Sequence, residues 1–592
     1  MSELVNYSTG VTVPAAWLNH AQLREEGLAS YVVYQAGGTT YAKALFPGGT
    51  DYSATSLAGV NPIQQAINSL TGGGKILIRA GTYDFGIGQP KPAGFPNLNN
   101  AGSGVGLILP GNVQVEGEGR QTILTTTTTV PGSPTVNDYF AMFCNKNHAS
   151  SDGFIAIRNL AIVLPAPSQT GNNMQAWDDS VITYGTHDLI IENVYSLYGG
   201  YILYPDSVHI NTANALTLGS NYNNKITHCM SENQTINTGF FQGTDSEFSF
   251  NIINKAWDDP FIIASAGQGH RVIGNRIDAN EVVAGGGAFL GGINLQNDGA
   301  VGVGASSGVL RDNIIIGNVV KNALGHSVGG RNCFAALRAQ NTTVKGNIFH
   351  DSIGSGALFE NCNGIDLEGN TIFNCAGSAG GVRVVASETG TYYDTKIINN
   401  LLYNNGAVAQ GSSGIQLAAQ NAGMNFQDMT IQGNIMYDDL GTHVQTNAIR
   451  FASDGNMSNV LIAYNNGIRS TAFLQTGGVG VWTARFKDNL GYNPVGLLAT
   501  PYDNTNNLVG PIVGNSATLT SAKTYTCRTT PLDLYLGGGT VTAMTKNGQT
   551  IGSGTSILPA TTAATTLVHL EPGDTWSITF SVTPTTQLVF GL

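Results

Sequence analysis

No apolar run in this chain approaches the roughly 20 residues that a helix needs to cross a bilayer. Its start, MSELVNYSTG, has neither the basic segment nor the apolar stretch of a secretory signal. Charge is scarce: only 11% of residues are Asp, Glu, Lys or Arg, and they sum to −12 at pH 7. A surface so poor in cations suits neither nucleic acid nor an anionic membrane, and neither partner is expected. Cysteine is limited to six, at 144, 229, 333, 362, 375 and 527, with no Cys-x-x-Cys spacing. Buried free thiols are the plain reading of that scatter, with disulfides or metal ligation as alternatives. HExxH, GxSxG and phosphate-loop patterns are missing, so no cofactor and no metal are expected.

Glycine, by contrast, is abundant at 77, and 42% of residues are hydrophobic, which excludes disorder for want of a core. At 592 residues the chain is too long for one ordinary core. Short segments of the form apolar-x-x-Asn-apolar recur through it, with Asn193, Asn251, Asn275, Asn318, Asn347, Asn370, Asn400, Asn434, Asn465 and Asn489 at the fixed place and Cys229 standing in once. A unit of 20 to 50 residues marks a solenoid. Each unit holds short apolar runs separated by Gly, Asn, Asp and Ser, which read as strands and turns, with no room for paired helices. Stacked Asn side chains can bond to their neighbours in adjacent coils, which accounts for a buried polar residue at one place. The expected fold is all-β, a right-handed parallel β-helix.

The opening NPIQQAINSL places Asn61 as N-cap, Pro62 at the first helical position, and Ile63, Ala66, Ile67 and Leu70 on one face. Such a helix would cover the open end of the first coil. With the following GGGKILIRAGTYDF, it resembles the start of the pectate-lyase-like superfamily, and the resemblance spans about residues 55–500. Upstream, GVTVPAAWLNHAQLREEG resembles a segment of bacteriophage tail-fibre and tailspike proteins, carried by Trp17, Leu18, Asn19, Gln22, Glu25 and Glu26. Downstream, Asn547-Gly548 between alternating runs signals a hairpin. The region resembles the small β-modules, sandwich-like, that end many phage tail proteins. The expected organisation is therefore an adaptor at 1–54, the β-helix at 55–500, and a β-rich module for trimerisation or sugar binding at 501–592. These resemblances imply a homotrimeric tailspike in the virion tail, joined through its N-terminus to other tail proteins and acting on host surface polysaccharide.

Trp-Asp-Asp occurs twice before an apolar run, in QAWDDSVITYG and KAWDDPFIIAS. Aligned on the Asn row, Asp178 and Asp179 share a corner with Asp258 and Asp259, and Asn214 and Asn237 are expected at that corner in the coils between. At about 4.8 Å per stacked strand the two pairs stand roughly 14 Å apart, beyond the ~5–9.5 Å of paired glycosidase carboxylates. They read as two points along one groove, with Trp177 and Trp257 as stacking faces. The second copy resembles the Asp-Asp segment of polygalacturonases, and GQGH, ending at His270, resembles that family's Gly-His-Gly. The upstream Asn-Thr-Asp of that family is missing here. The resemblance implies Asp258 and Asp259 as catalytic carboxylates and His270 as a substrate contact. Beside an indole, one carboxyl could be kept protonated to act as acid. Turn-capping is the other reading of both pairs. Nearby Tyr195, Tyr198, Tyr201 and Tyr204 read equally as wall or as sugar platform. Three functions stay open: a depolymerising enzyme, hydrolase or lyase; a non-catalytic receptor-binding spike; and a free polysaccharide lyase or epimerase.

Overall fold

The computed structural model describes residues 29–489, apart from short stretches and longer ones at 127–139, 205–220, 280–290 and 297–309, and beyond 489 mainly the strands of a C-terminal module. Two compact units divide the chain: residues 1–289 with 297–314 and 325–327, and residues 290–296 with 315–324 and 328–592. Both are built from parallel coils with three faces, and the fold is a right-handed parallel β-helix.

In the first unit the first face stacks Gly74–Ile78, Val113–Gly117, Ala156–Val163, Ile190–Leu197, Lys225–Thr227, Glu247–Ser249 and Arg271–Ile273, all in parallel register. Side chains alternate across each strand, so Ile76, Val115, Ile157, Ile191, Ile226, Phe248 and Val272 form one inward column, all buried. Each such side chain contributes about 1.5–3 kcal/mol through burial. The third face stacks Gly104–Leu109, Phe140–Asn145, Asp179–Tyr184, Gly200–Tyr204, Gly239–Phe241 and Phe261–Ala264. Over the open end lies the helix Pro62–Ser69, where the Asn61 side chain accepts from the Ile63 and Gln64 amides and Ile63, Ala66 and Ile67 are buried. Strand Tyr31–Ala36, inside the stretch read as an adaptor, pairs in parallel with Gly74–Ile78 and so belongs to the first face.

In the second unit the Asn row runs unbroken. The backbone amides of Asn318, Asn347, Asn370, Asn400, Asn434 and Asn465 each donate to Oδ1 of the next row member, ending at Asn489, over 2.9–3.0 Å. Each Nδ2 donates to the same oxygen. In the first unit Asn251 bonds to Asn275 likewise, and Cys229 donates its amide to Asn251 Oδ1, taking the Asn place as expected. Asn193 is the exception. Tyr195 pairs with Met230, so the residue beside Cys229 is Val194. Asn193 sits one place earlier, with φ +52, and bonds outside the coil to Asn159 Oδ1 at 2.8 Å.

That earlier place is a left-handed corner in coil after coil. Gly317 and Gly346 occupy it at φ +67 and +61, where the missing Cβ avoids strain. Phe250 and Tyr464 hold the same conformation at φ +56 with bulky side chains, and both remain exposed.

Beyond the coils lie two four-stranded antiparallel sheets. Thr540–Lys546 and Gln549–Ser553 form the hairpin expected at Asn547-Gly548, whose φ values of +53 and +75 match a type I′ turn. Five cysteines, 144, 229, 333, 362 and 375, are free and buried; Cys527 lies outside the described residues.

Candidate functional site

Strand register stacks the strand opened by Asp179 and the strand that follows Asp259 on one face. Val181 pairs with Tyr201, Tyr201 with Gly239, and Gly239 with Phe261, so the strand after each Asp pair occupies the same column three coils apart. Asp179 opens its strand half-buried; Asp259 is 2% exposed, and both have partners. Trp177, Asp178, Asn214, Asn237, Trp257 and Asp258 lie outside the described residues.

One detail differs from the sequence reading. The expected column gave the coil after Asp179 to Asn214, but the register pairs Asp179 with Gly200, which follows directly from Tyr198-Gly199. Residues 205–220, which lengthen this interval, follow the strand in sequence and do not precede it. Pro260 stands at the edge of the strand Phe261–Ala264, and a register shift falls between Asp179 and Val181 at the first copy.

His270 faces inward. It is fully buried within a second polar row, in which Asn224 donates its amide to Ser246 Oγ, Ser246 to His270 Nδ1, and His270 to Asn313 Oδ1, over 3.0–3.2 Å. The imidazole is thus part of the wall and is closed to a ligand in the groove. Burial pushes its pKa down to about 4. An unfolded histidine titrates near 6.5, so between pH 6.5 and 4 the unfolded chain binds a proton that the native one refuses. Stability from this group is complete above pH 6.5 and falls by up to about 3 kcal/mol as pH drops to 4. His270→Asn keeps an acceptor of the type found elsewhere in the row. Its melting temperature should lose most of the parent's fall between pH 6.5 and 4; an unchanged fall would place the proton elsewhere.

The aromatic groups sort by whether their faces are open. Tyr201 is buried in the core. Tyr195 points outward, donates its hydroxyl to Glu232 at 2.9 Å, and has the Arg120 guanidinium 4.9 Å above its ring. Burial, then the Glu232 carboxylate, pushes its pKa up to about 12. In the second unit His350, Phe373, Tyr403 and Tyr437 stack with centroids 4.7–5.2 Å apart and planes within 6°. Phe373 and Tyr403 are thus covered on both faces, so the inner rings of this ladder serve coil stacking and offer sugars only edges.

An open cleft of about 680 Å³ lies on the first unit's first face, lined among others by Lys75, Glu116, Arg158, Glu192, Asn193 and His228. Sequence reasoning missed it because its residues come from separate coils. Lys75 pairs with Glu116 at 2.6 Å and Arg158 with Glu192 at 3.1 Å. Burial alone would raise the Glu116 carboxyl, but the Lys75 contact, with Asn159 and Arg158, holds it below the usual range. An ionised, paired carboxylate is a poor general acid, so this cleft suits binding better than proton transfer.

No protein-family profile and no curated protein matches the chain. Among solved structures it is similar to an Azotobacter vinelandii mannuronan C-5 epimerase A-module, at 15% identity and TM-score 0.47, over 68% of this chain and 96% of that one. A GH87 alpha-1,3-glucanase catalytic unit from Streptomyces thermodiastaticus matches at 14% identity and TM-score 0.43, over 74% and 67%. A tailspike protein of E. coli bacteriophage HK620, in complex with pentasaccharide, matches at 12% identity and TM-score 0.41, over 97% and 100%. On its own strand register, the chain is a right-handed parallel β-helix with a C-terminal antiparallel β-module.

Proposed function

We propose that the protein is a tailspike-like depolymerase that holds a host surface polysaccharide along the third-face corner of the first unit and cleaves it at the second Trp-Asp-Asp. The observation that supports this reading is the shared column of Val181 and Phe261, the strands that follow the two Trp-Asp-Asp sequences. Asp258 and Asp259 take the catalytic roles. Trp177, Asp178, Asp179, Asn237 and Trp257 bind sugar, and His270 supports the wall behind them. Incubation with a panel of bacterial surface polysaccharides tests it: new reducing ends mark a hydrolase, and absorbance from an unsaturated uronate marks a lyase.

A non-catalytic spike is the second reading, favoured by the burial of Asp259, whose carboxylate would then serve the turn. Chain release from the polysaccharide separates the two. The N-terminal segment would join other tail proteins, and the C-terminal module would assist a homotrimer. Light scattering should give three times 61.9 kDa; a single species at the monomer mass would remove the trimer and leave the groove.

A further inference from the structure

The second face of the second unit has an apolar exterior that the corner of the Asp pairs does not use. Its strands Ile348–His350, Thr371–Phe373, Leu401–Tyr403 and Ile435–Tyr437 stack in parallel register. Phe349, Ile372, Leu402 and Met436 point inward and are fully buried. By alternation, Ile348, Thr371, Leu401 and Ile435 form an outward column. Beside it run the edges of the ring ladder from His350 to Tyr437. The column is open to water, with Ile348 39% exposed and Ile435 46%. Other exposed apolar side chains frame the face, Ile316 and Tyr464 at its upstream corner and Ile353 and Leu440 at its downstream one. A contiguous apolar patch on a water-facing sheet marks an interaction surface.

Charge points to what covers it. These four strands contain no Asp, Glu, Lys or Arg. The strands beside them do: Lys345, Asp366, Glu368 and Lys396 stand on the first face, and Glu360, Arg383 and Arg450 on the third. When copies of one chain pack side by side about an axis along the solenoid, each coil meets the same coil of its neighbour. A charged column would then face its own sign, which is destabilising. Among the described strands of these coils, only the second face avoids that. Area argues the same way. Four strands three residues wide cover roughly 19 by 10 Å, about 200 Å², well below the ~800 Å² per partner of an independent complex. So small a face suits copies already gathered elsewhere better than a partner captured from solution.

We propose that this face is where copies of the chain meet, like coil against like coil, with Ile348, Leu401 and Ile435 turned toward the symmetry axis. The proposal rests on the oligomer proposed above, in which the C-terminal module gathers the copies. It adds the surface on which the solenoids touch and their direction, which is parallel. It is independent of cleavage and of the sugar.

Cross-linking of the full chain tests it. Ile348→Cys puts a thiol on the column, and a short bismaleimide should join position 348 of one copy to position 348 of another, giving a covalent species of twice 61.9 kDa. The parent, and Thr343→Cys on the first face, should give none. Ile348→Lys together with Ile435→Lys sets like charges against each other. It should raise the concentration at which the oligomer dissociates at least tenfold, with far-ultraviolet circular dichroism unchanged because both sites are exposed in the single chain. No covalent species from Ile348→Cys, an equal yield from Thr343→Cys, or an unmoved dissociation concentration would overturn the proposal. So would a covalent species that needs Ile348→Cys mixed with Ile435→Cys, which marks antiparallel copies. A parent that stays monomeric at every concentration removes the oligomer itself, whereas an oligomer that fails only at position 348 removes this face alone.

Discussion

Asp258→Asn or Asp259→Asn should reduce polysaccharide cleavage by 10²-fold or more, with melting temperature and oligomeric state unchanged. The substitution conserves volume and removes the charge, and loss of a general acid or base typically costs that much. Both groups must come from one copy of Trp-Asp-Asp. The copies are separated by three strand steps, about 14 Å at the usual spacing, and no known two-carboxylate geometry of roughly 5–9.5 Å spans that distance. Asp178→Asn and Asp179→Asn should therefore raise KM and spare kcat. The opposite pattern at the second copy, a melting loss of about 1 kcal/mol with activity per folded molecule retained, is what a turn cap gives. That result would falsify the assignment of Asp258 and Asp259 as catalytic.

The largest stability effect is expected at Asn400. Its amide and Nδ2 donate to Asn434 Oδ1, its Nδ2 also donates to Leu367 O, and its Oδ1 accepts twice from Asn370. Asn400→Leu strands several of these groups in a dry interior at about 1–3 kcal/mol each, so a loss of roughly 3–5 kcal/mol is expected against a typical total of 5–15 kcal/mol. Asn193→Gly should change stability by less than about 1 kcal/mol, since Asn193 lies outside the row and glycine suits its left-handed backbone. Denaturant titration of both variants checks the contrast. Equal losses would mean that the row contributes no more than an exposed corner.

The fold was readable because its repeat is carried by chemistry that has few substitutes. An Asn able to accept twice and donate twice at one place in every coil leaves a periodic mark, as Asn347 through Asn465 do. Asn193 misled because the left-handed corner one place earlier also favours Asn, so two neighbouring positions with different physics share a residue type. Coil length misled at Asn214: counting back from the Asn row cannot tell whether inserted residues lie before or after a strand. His270 looked like a groove residue because Gly-Gln-Gly-His matches a known pattern, while its true neighbours, Ser246 and Asn313, lie in adjacent coils. The cleft lined by Lys75, Glu116, Arg158 and Glu192 left no local signal, because its members come from separate coils and only strand register makes them neighbours.

The inner rows have a bearing on how such a chain can vary. Asn347 and Asn370 are 23 residues apart and Asn400 and Asn434 are 34 apart, yet both links close over the same 2.9–3.0 Å. The lattice of amides constrains one place per turn and is indifferent to the length of what loops out between. Insertions, deletions and exchanged segments can therefore accumulate at the rims without disturbing the shaft. A lineage under pressure to recognise a changing coat could alter its ligand by editing loops alone, inheriting an unaltered scaffold each time.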